Sequence, residues 1–125
     1  MTFRMSEQAY LVLVALGEEP RHGYGVVQAV RALSDGQVRL GAGTLYGILD
    51  RAVGAGYVEA SGEVVVDGRL RRYYRLTPTG LAAVRAETLR LAELAQRARR
   101  ALGAGPTTGP TTGPTTGLPA LGGTS

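Results

Sequence analysis

Cysteine, tryptophan and lysine are absent from the 125-residue chain, and histidine and phenylalanine occur once each. The missing cysteine excludes a disulfide framework and any thiolate metal site, and it fits a reducing cytoplasm. The lone histidine, His22, has no cysteine partners and so makes no metal site. Any Ser/His/Asp triad would have to use it, and no neighbouring serine or strand-to-helix elbow supports one. With so few nucleophiles and no clustered carboxylates, neither an enzyme nor a cofactor is expected. Long apolar runs are missing too. The longest, Ala9 to Leu16, is far too short to span a bilayer, and Arg4 and Glu7 leave no apolar stretch before it for a signal peptide. The expected setting is cytoplasmic, away from membranes.

What is present is arginine, which supplies all 14 basic residues against 10 acidic ones, for a net charge of +4. Arginine forks suit phosphates and guanine edges. A GC-rich coding sequence would favour arginine as well, so placement says more than number.

The stretch that organises the chain is Leu40 to Tyr57, LGAGTLYGILDRAVGAGY. Leu45, Ile48, Leu49 and Ala52 recur at three- and four-residue spacing and fall on one side of a helix. Gly43, Tyr46, Gly47, Asp50 and Gly54 fall on the other, with Arg51 at its edge. So little bulk on an outer face lets a backbone come close to another surface. The pattern predicts the helix that enters a DNA groove, capped by Gly41.

Before it, Ser6 caps a helix running to Leu16 with Tyr10, Leu13, Val14 and Leu16 on its apolar face. Gly17 ends it, and Glu18, Glu19 and Pro20 form a turn. Arg21 to Gly25 lead into a second helix ending near Leu33, with Val26, Val27, Val30 and Leu33 as its buried stripe. After it, Tyr57 to Leu76 alternates like two strands around Asp67-Gly68. A three-residue loop, Val66 to Gly68, pairs Val58 with Leu76, Ala60 with Tyr74 and Val64 with Leu70, and keeps the apolar residues together. A two-residue loop would put Val58 and Leu76 on opposite faces, so the longer loop is the expected one. Thr77 caps the last helix, with Pro78 at its first position. Leu81, Val84, Thr88, Leu91, Ala95, Ala98 and Leu102 form a heptad seam that needs a partner, either the chain's own first helix or a second subunit. From Gly103 onward there is no charge, and GPTT occurs three times. Such a segment has too little apolar surface to offset the entropy of ordering it.

The expected fold is mostly α with a two-stranded wing, a winged helix-turn-helix followed by a C-terminal dimerisation helix. Its parts are a DNA-binding domain over 1–76, a dimerisation helix over 77–102 and a disordered tail over 103–125. The blocks HGYGVVQAV, LGAGTLYGILDRAVGAGYVE and RRYYRLTPTG resemble the PadR family of transcription regulators, in the family's order and spacing, over about 75 residues. The resemblance implies a homodimeric repressor on a double-stranded DNA operator, its dimer contact made by the last and first helices. Two departures stand out. Relatives often carry Ser-Pro where this chain has Gly41-Ala42, and the repeat tail is outside the family pattern.

The candidate DNA-binding residues are Gly43, Thr44, Tyr46, Arg51, Arg69, Arg71, Arg72, His22 and Tyr24. For Tyr46 the choice lies between a hydroxyl on a phosphate or base edge and an aromatic closing the core against Leu40. Thr44 donates to a phosphate beside free helix N–H groups or adds a second capping hydroxyl. Arg51 reads a groove or joins a surface ion pair. The three wing arginines sit on the phosphate backbone or protect a hairpin edge from aggregation. The candidate dimer residues are Tyr10, Leu13, Leu81, Val84, Thr88, Leu91, Ala95 and Ala98. Leu13, Leu91 and Ala95 would line any cavity for a small-molecule inducer between subunits. The rival reading is a winged helix that docks proteins or senses a ligand without DNA affinity. Neutralising the hairpin arginines would leave such a module unaffected.

Overall fold

In the computed structural model, residues 3–103 are described, and the GPTT repeats predicted to be disordered lie outside them. The elements run α1 (Glu7–Glu18), β1 (Arg21–His22), α2 (Gly23–Leu33), α3 (Ala42–Gly54), β2 (Val58–Val66), β3 (Arg69–Leu76) and α4 (Pro78–Ala101). The chain divides into two units, Met1–Thr88 and Leu89–Ser125.

The first unit is built on α1, α2 and α3. The Ser6 hydroxyl accepts from Ala9 N–H at 3.1 Å and starts α1, as expected. Val12, Leu13 and Leu16 of α1 close against Val26 and Val30 of α2 and against Leu45, Ile48 and Leu49 of α3. Val58 and Val84 complete the same core. No polar side chain is buried within it among the described residues, so the core rests on apolar contact alone.

Several details differ from the sequence reading. α1 runs past Gly17 to Glu18. Leu33, assigned to the buried stripe of α2, is exposed, because Ser34 and the left-handed Asp35 and Gly36 turn the chain away there. The sheet has three strands in the order β1-β3-β2, not two. β1 is only Arg21 and His22, paired with Tyr74 and Tyr73. Arg21 fastens it. Its Nε donates to the Ala15 carbonyl at 2.9 Å, and its guanidinium meets Glu18 at 2.7 Å and Glu19 at 3.4 Å. A cation at the C-terminal end of α1 also suits the helix dipole.

The wing resolves two competing registers by using both. At its base Val58 pairs with Leu76 and Ala60 with Tyr74, as predicted. At its tip the loop has two residues, not the expected three. Val66 pairs with Arg69, Val65 with Leu70 and Val64 with Arg71. A bulge between Ala60 and Gly62 absorbs the one-residue difference. Asp67 and Gly68 both take positive φ, 51° and 75°, as a two-residue hairpin turn of the I′ kind requires.

α4 begins on the wing's root. Thr77 N–H donates to the Tyr57 carbonyl at 3.0 Å, and the Thr77 hydroxyl donates to Gly56 O at 2.6 Å. That hydroxyl also accepts from Gly80 N–H at 3.0 Å, the expected N-cap. Further along, the Thr88 hydroxyl donates to Val84 O at 2.8 Å, so the 2.6 Å bond between Tyr10 Oη and Thr88 Oγ1 has tyrosine as donor. The second unit carries the rest of α4, where Leu89 and Leu94 are exposed, as is Leu102 just past its end. None of the described helices is long and apolar enough to cross a membrane.

Candidate nucleic-acid interface

α3 turns Leu45, Ile48, Leu49 and Ala52 inward, as its spacing predicts. Gly43, Thr44, Tyr46, Asp50, Arg51 and Gly54 face solvent. A side chain added at Gly41, Gly43 or Gly54 would meet nothing within 4 Å. The protein's own packing therefore does not require glycine there. Arg51 folds back along the helix, and a Cβ on Gly47 would lie 3.4 Å from its Nη1. The guanidinium thus lies along the outward face, and no carboxylate pairs with it among the described residues.

Tyr46 is 46% exposed and lies across the start of α2. A Cβ on Gly23 would collide with its hydroxyl and come within 2.9 Å of its Cζ. The ring therefore packs over Gly23, a partner that neither of the two alternatives weighed for Tyr46 had named. Gly23 is a residue that sequence reasoning missed, and only the approach of α3 reveals its purpose.

His22 is the N-cap of α2. Its Nδ1 accepts from Gly25 N–H at 3.2 Å, which requires the proton on Nε2. Its ring meets Tyr73 of β3 edge-on, centroids 5.3 Å apart. One side chain thus joins the start of α2 to the wing, and Tyr24 stands exposed as the second residue of that helix. Changing His22 to alanine is expected to lower the unfolding free energy by about 1 kcal/mol or more, while aspartate, a strong N-cap, recovers most of it. Urea melts of the two variants check this. Equal losses in both would mean that the ring contact matters and the cap does not.

The wing sorts its arginines by register. Arg72 stands opposite Glu63 and pairs with it at 3.7 Å, and Arg75 stands opposite Glu59 and bonds it at 2.9 Å. Arg69 and Arg71 have no carboxylate partner among the described residues. Arg71 is half-buried, and its Nε is enclosed without an acceptor. Of the three wing arginines expected to meet DNA, two have no carboxylate partner among the described residues and one faces Glu63 across the ladder. That division follows from the bulge and could not be read before the register was known.

The candidate dimer residues divide as well. Leu13 is wholly enclosed in the first unit and Val84 nearly so, which makes both part of the subunit's own core. Leu13 therefore lines no space between subunits. The apolar residues of α1 surround it on every side, so a stripe drawn from spacing could not tell inward from outward. Tyr10, Leu81 and Leu91 are half-buried, and Thr88, Ala95 and Ala98 are exposed.

Residues 12–86 match the description "Transcriptional regulator PadR-like family". The chain belongs to that family. This PadR-like regulator is 40% identical over 79 residues to Transcriptional regulator Rv3488 of Mycobacterium tuberculosis, covering 63% of its own length and 60% of the relative's. It thus spans about 60% of that relative. Among solved structures it resembles a PadR family transcriptional regulator from Eggerthella lenta, at 29% identity and a TM-score of 0.62, over 75% of this chain and 80% of that one. A PadR family transcription regulator from Clostridium difficile shares the fold at 18% identity and a TM-score of 0.67, over 78% and 99% of the two chains. These relatives are regulators of transcription and not enzymes, in line with the composition.

Proposed function

We propose that this PadR-like regulator is a homodimeric repressor that lays α3 in the major groove of an operator and its wing on the DNA backbone. The observation that carries the reading is charge left over. After cross-strand pairing, Arg69 and Arg71 stay unmatched on the same unit as a helix whose outward face carries glycines that contact nothing in the chain. Thr44, Arg51 and the exposed edge of Tyr46 would meet bases or phosphates along α3, and His22 and Tyr24 would stand at the phosphate beside the start of α2.

The dimer contact would use Tyr10, Leu81 and Thr88 together with Leu91, Ala95 and Ala98. Its support is the heptad spacing of these residues, with Leu91 the large apolar side chain of the seam beyond Thr88. Two copies of α3 would then read half-sites about one helical turn apart.

The test combines sedimentation with salt-dependent gel shifts on an operator selected from random oligonucleotides. The parent is expected to be a dimer at micromolar concentration, with affinity falling steeply as salt rises. Removing Arg69 and Arg71 together should weaken binding to all sequences alike and reduce the salt slope by about two. Arg72→Ala should have a smaller effect, because Glu63 already holds that charge. An unchanged slope in the double variant would remove the wing from the interface, and a monomer with or without duplex would overturn the whole arrangement.

A further inference from the structure

The chain holds no asparagine and three aspartates, Asp35, Asp50 and Asp67. Two of them precede glycine, at Asp35-Gly36 and Asp67-Gly68. Glycine leaves its backbone nitrogen unscreened, so such a pair can close a five-membered succinimide in which that nitrogen is bonded to the aspartate Cγ. The two pairs are alike in most respects. Asp35 and Asp67 are both exposed and take left-handed φ, 55° and 51°, and Gly36 and Gly68 take 79° and 75°. A Cβ on either glycine would meet nothing within 4 Å. Steric access and backbone conformation therefore do not tell them apart. Hydrogen bonding does. Gly36 N–H donates to the Arg31 carbonyl at 2.7 Å, with Asp35 N–H on Ala32 O at 3.2 Å and Gln37 N–H on Ser34 O at 3.1 Å. These bonds use the carbonyls left over at the end of α2. The Gly36 nitrogen cannot swing toward the Asp35 carboxyl without losing its own bond. Gly68 stands instead in the two-residue turn, inside the closing pair Val66 and Arg69. Its N–H has no hydrogen-bond partner among the described residues. Asp50 precedes Arg51 inside α3, where the helix holds the backbone.

We propose that Asp67 is a site of spontaneous backbone isomerisation and that Asp35 is spared. The Gly68 nitrogen attacks Cγ of the protonated Asp67 carboxyl. The N–Cγ bond forms, the Cγ–OH bond breaks, and the proton of the nitrogen leaves with the hydroxyl as water. Water then opens the ring at either carbonyl. Opening at Cγ restores aspartate. Opening at the Asp67 backbone carbonyl leaves that carbon as a free carboxyl and runs the chain through Cβ and Cγ, an isoaspartyl link. The balance is one water lost and one regained, and no other reactant enters. The link adds a backbone atom to a turn whose geometry depends on two successive left-handed residues. The Val66–Arg69 pair that closes the turn is therefore the first to lose its register.

The experiment ages the full chain for several weeks at neutral pH and body temperature, folded in buffer and unfolded in guanidinium. With lysine absent, trypsin cuts only after arginine, and the three aspartates fall on separate peptides, 32–39, 40–51 and 52–69. An isoaspartyl peptide keeps the parent mass and elutes apart from it, and an isoaspartyl carboxyl methyltransferase labels it from S-adenosylmethionine. Ageing in heavy-oxygen water marks the rings that opened during the experiment. In the folded chain, peptide 52–69 is expected to isomerise about tenfold faster than peptide 32–39, since only the latter must first break a hydrogen bond. In guanidinium the two rates should converge, because the bond on Gly36 is gone. Asp67→Gly retains a turn that accepts positive φ and should abolish the signal from its peptide. Equal rates at the two sites in the folded chain would overturn the role given to the free Gly68 N–H. Isomerisation of peptide 52–69 only after unfolding would mean that the folded turn guards Asp67, and would overturn the proposal outright.

Discussion

Replacing Gly80 with alanine is expected to destabilise the fold by about 3 kcal/mol or more. A Cβ at this position would drive into the Tyr57 carbonyl oxygen and lie 2.9 Å from its carbon. Both atoms are backbone, so no rotamer change relieves the clash. Either α4 or the start of β2 must move. Movement there breaks more than one bond, because Thr77 N–H donates to the same Tyr57 carbonyl and the Thr77 hydroxyl holds Gly56 O. Val58, one residue on, is almost completely buried, so the displacement enters the core. A domain of this size has a total stability of about 5–15 kcal/mol, which makes the predicted loss a large share of it. Urea unfolding followed by circular dichroism measures it directly. Thr77→Ala is the matched control, because it removes the cap without adding bulk and should cost only about 1 kcal/mol. If Gly80→Ala melts no earlier than Thr77→Ala, the close approach of α4 to the wing's root does not govern stability.

Gly80 also marks where sequence reasoning stops. Its neighbourhood, TPTGLAAV, reads as an ordinary helix start, and Thr77 and Pro78 were assigned correctly from local preference. The atom that forbids a side chain lies on Tyr57, far back in the chain, and no local pattern carries it. Local signals served well wherever one element decided the matter. The inward face of α3 followed from spacing alone, and the Asp67-Gly68 turn followed from residues that tolerate positive φ. The hairpin was harder, because its two signals conflict under any single register. Apolar alternation fixed the base and turn chemistry fixed the tip, and only a bulge satisfies both. The choice made from alternation alone was therefore right at Val58 and wrong at Val64. The pairing of Arg72 with Glu63 was hidden for the same reason. β1 left no trace at all, since two residues have no periodicity and Arg21 is held by bonds to another element. The candidate interface on α3 was legible in outline. What spacing could not show is that Tyr46 rests on Gly23, or that Arg51 lies back along its own helix.

Gly43→Ala is expected to do the reverse of Gly80→Ala, leaving the fold as stable or more stable while binding to the operator falls by roughly ten- to hundredfold. Glycine inside a helix costs up to about 1 kcal/mol relative to alanine, so the substitution should raise the melting temperature slightly. The space outside Gly43 is empty in the free protein, and a methyl group there touches nothing. Gly43 thus lowers helix stability and serves no contact of its own chain among the described residues, which leaves an approaching surface as the reading to test. The first turn of a groove-entering helix is where base edges and phosphates come nearest, and Gly43 sits in that turn beside Thr44. A single carbon in a fitted interface costs about 1–3 kcal/mol, which sets the expected loss. Gly54→Ala is the control, because its position is equally open but at the far end of α3, about 16 Å along the axis. It should show the stabilisation with little loss of binding. Gel shifts beside thermal melts separate the possibilities. If Gly43→Ala binds as tightly as the parent, the bare face of α3 reflects composition and not a surface that DNA approaches. If both variants lose binding equally, the helix lies along the groove for its whole length and does not enter by its N-terminal end.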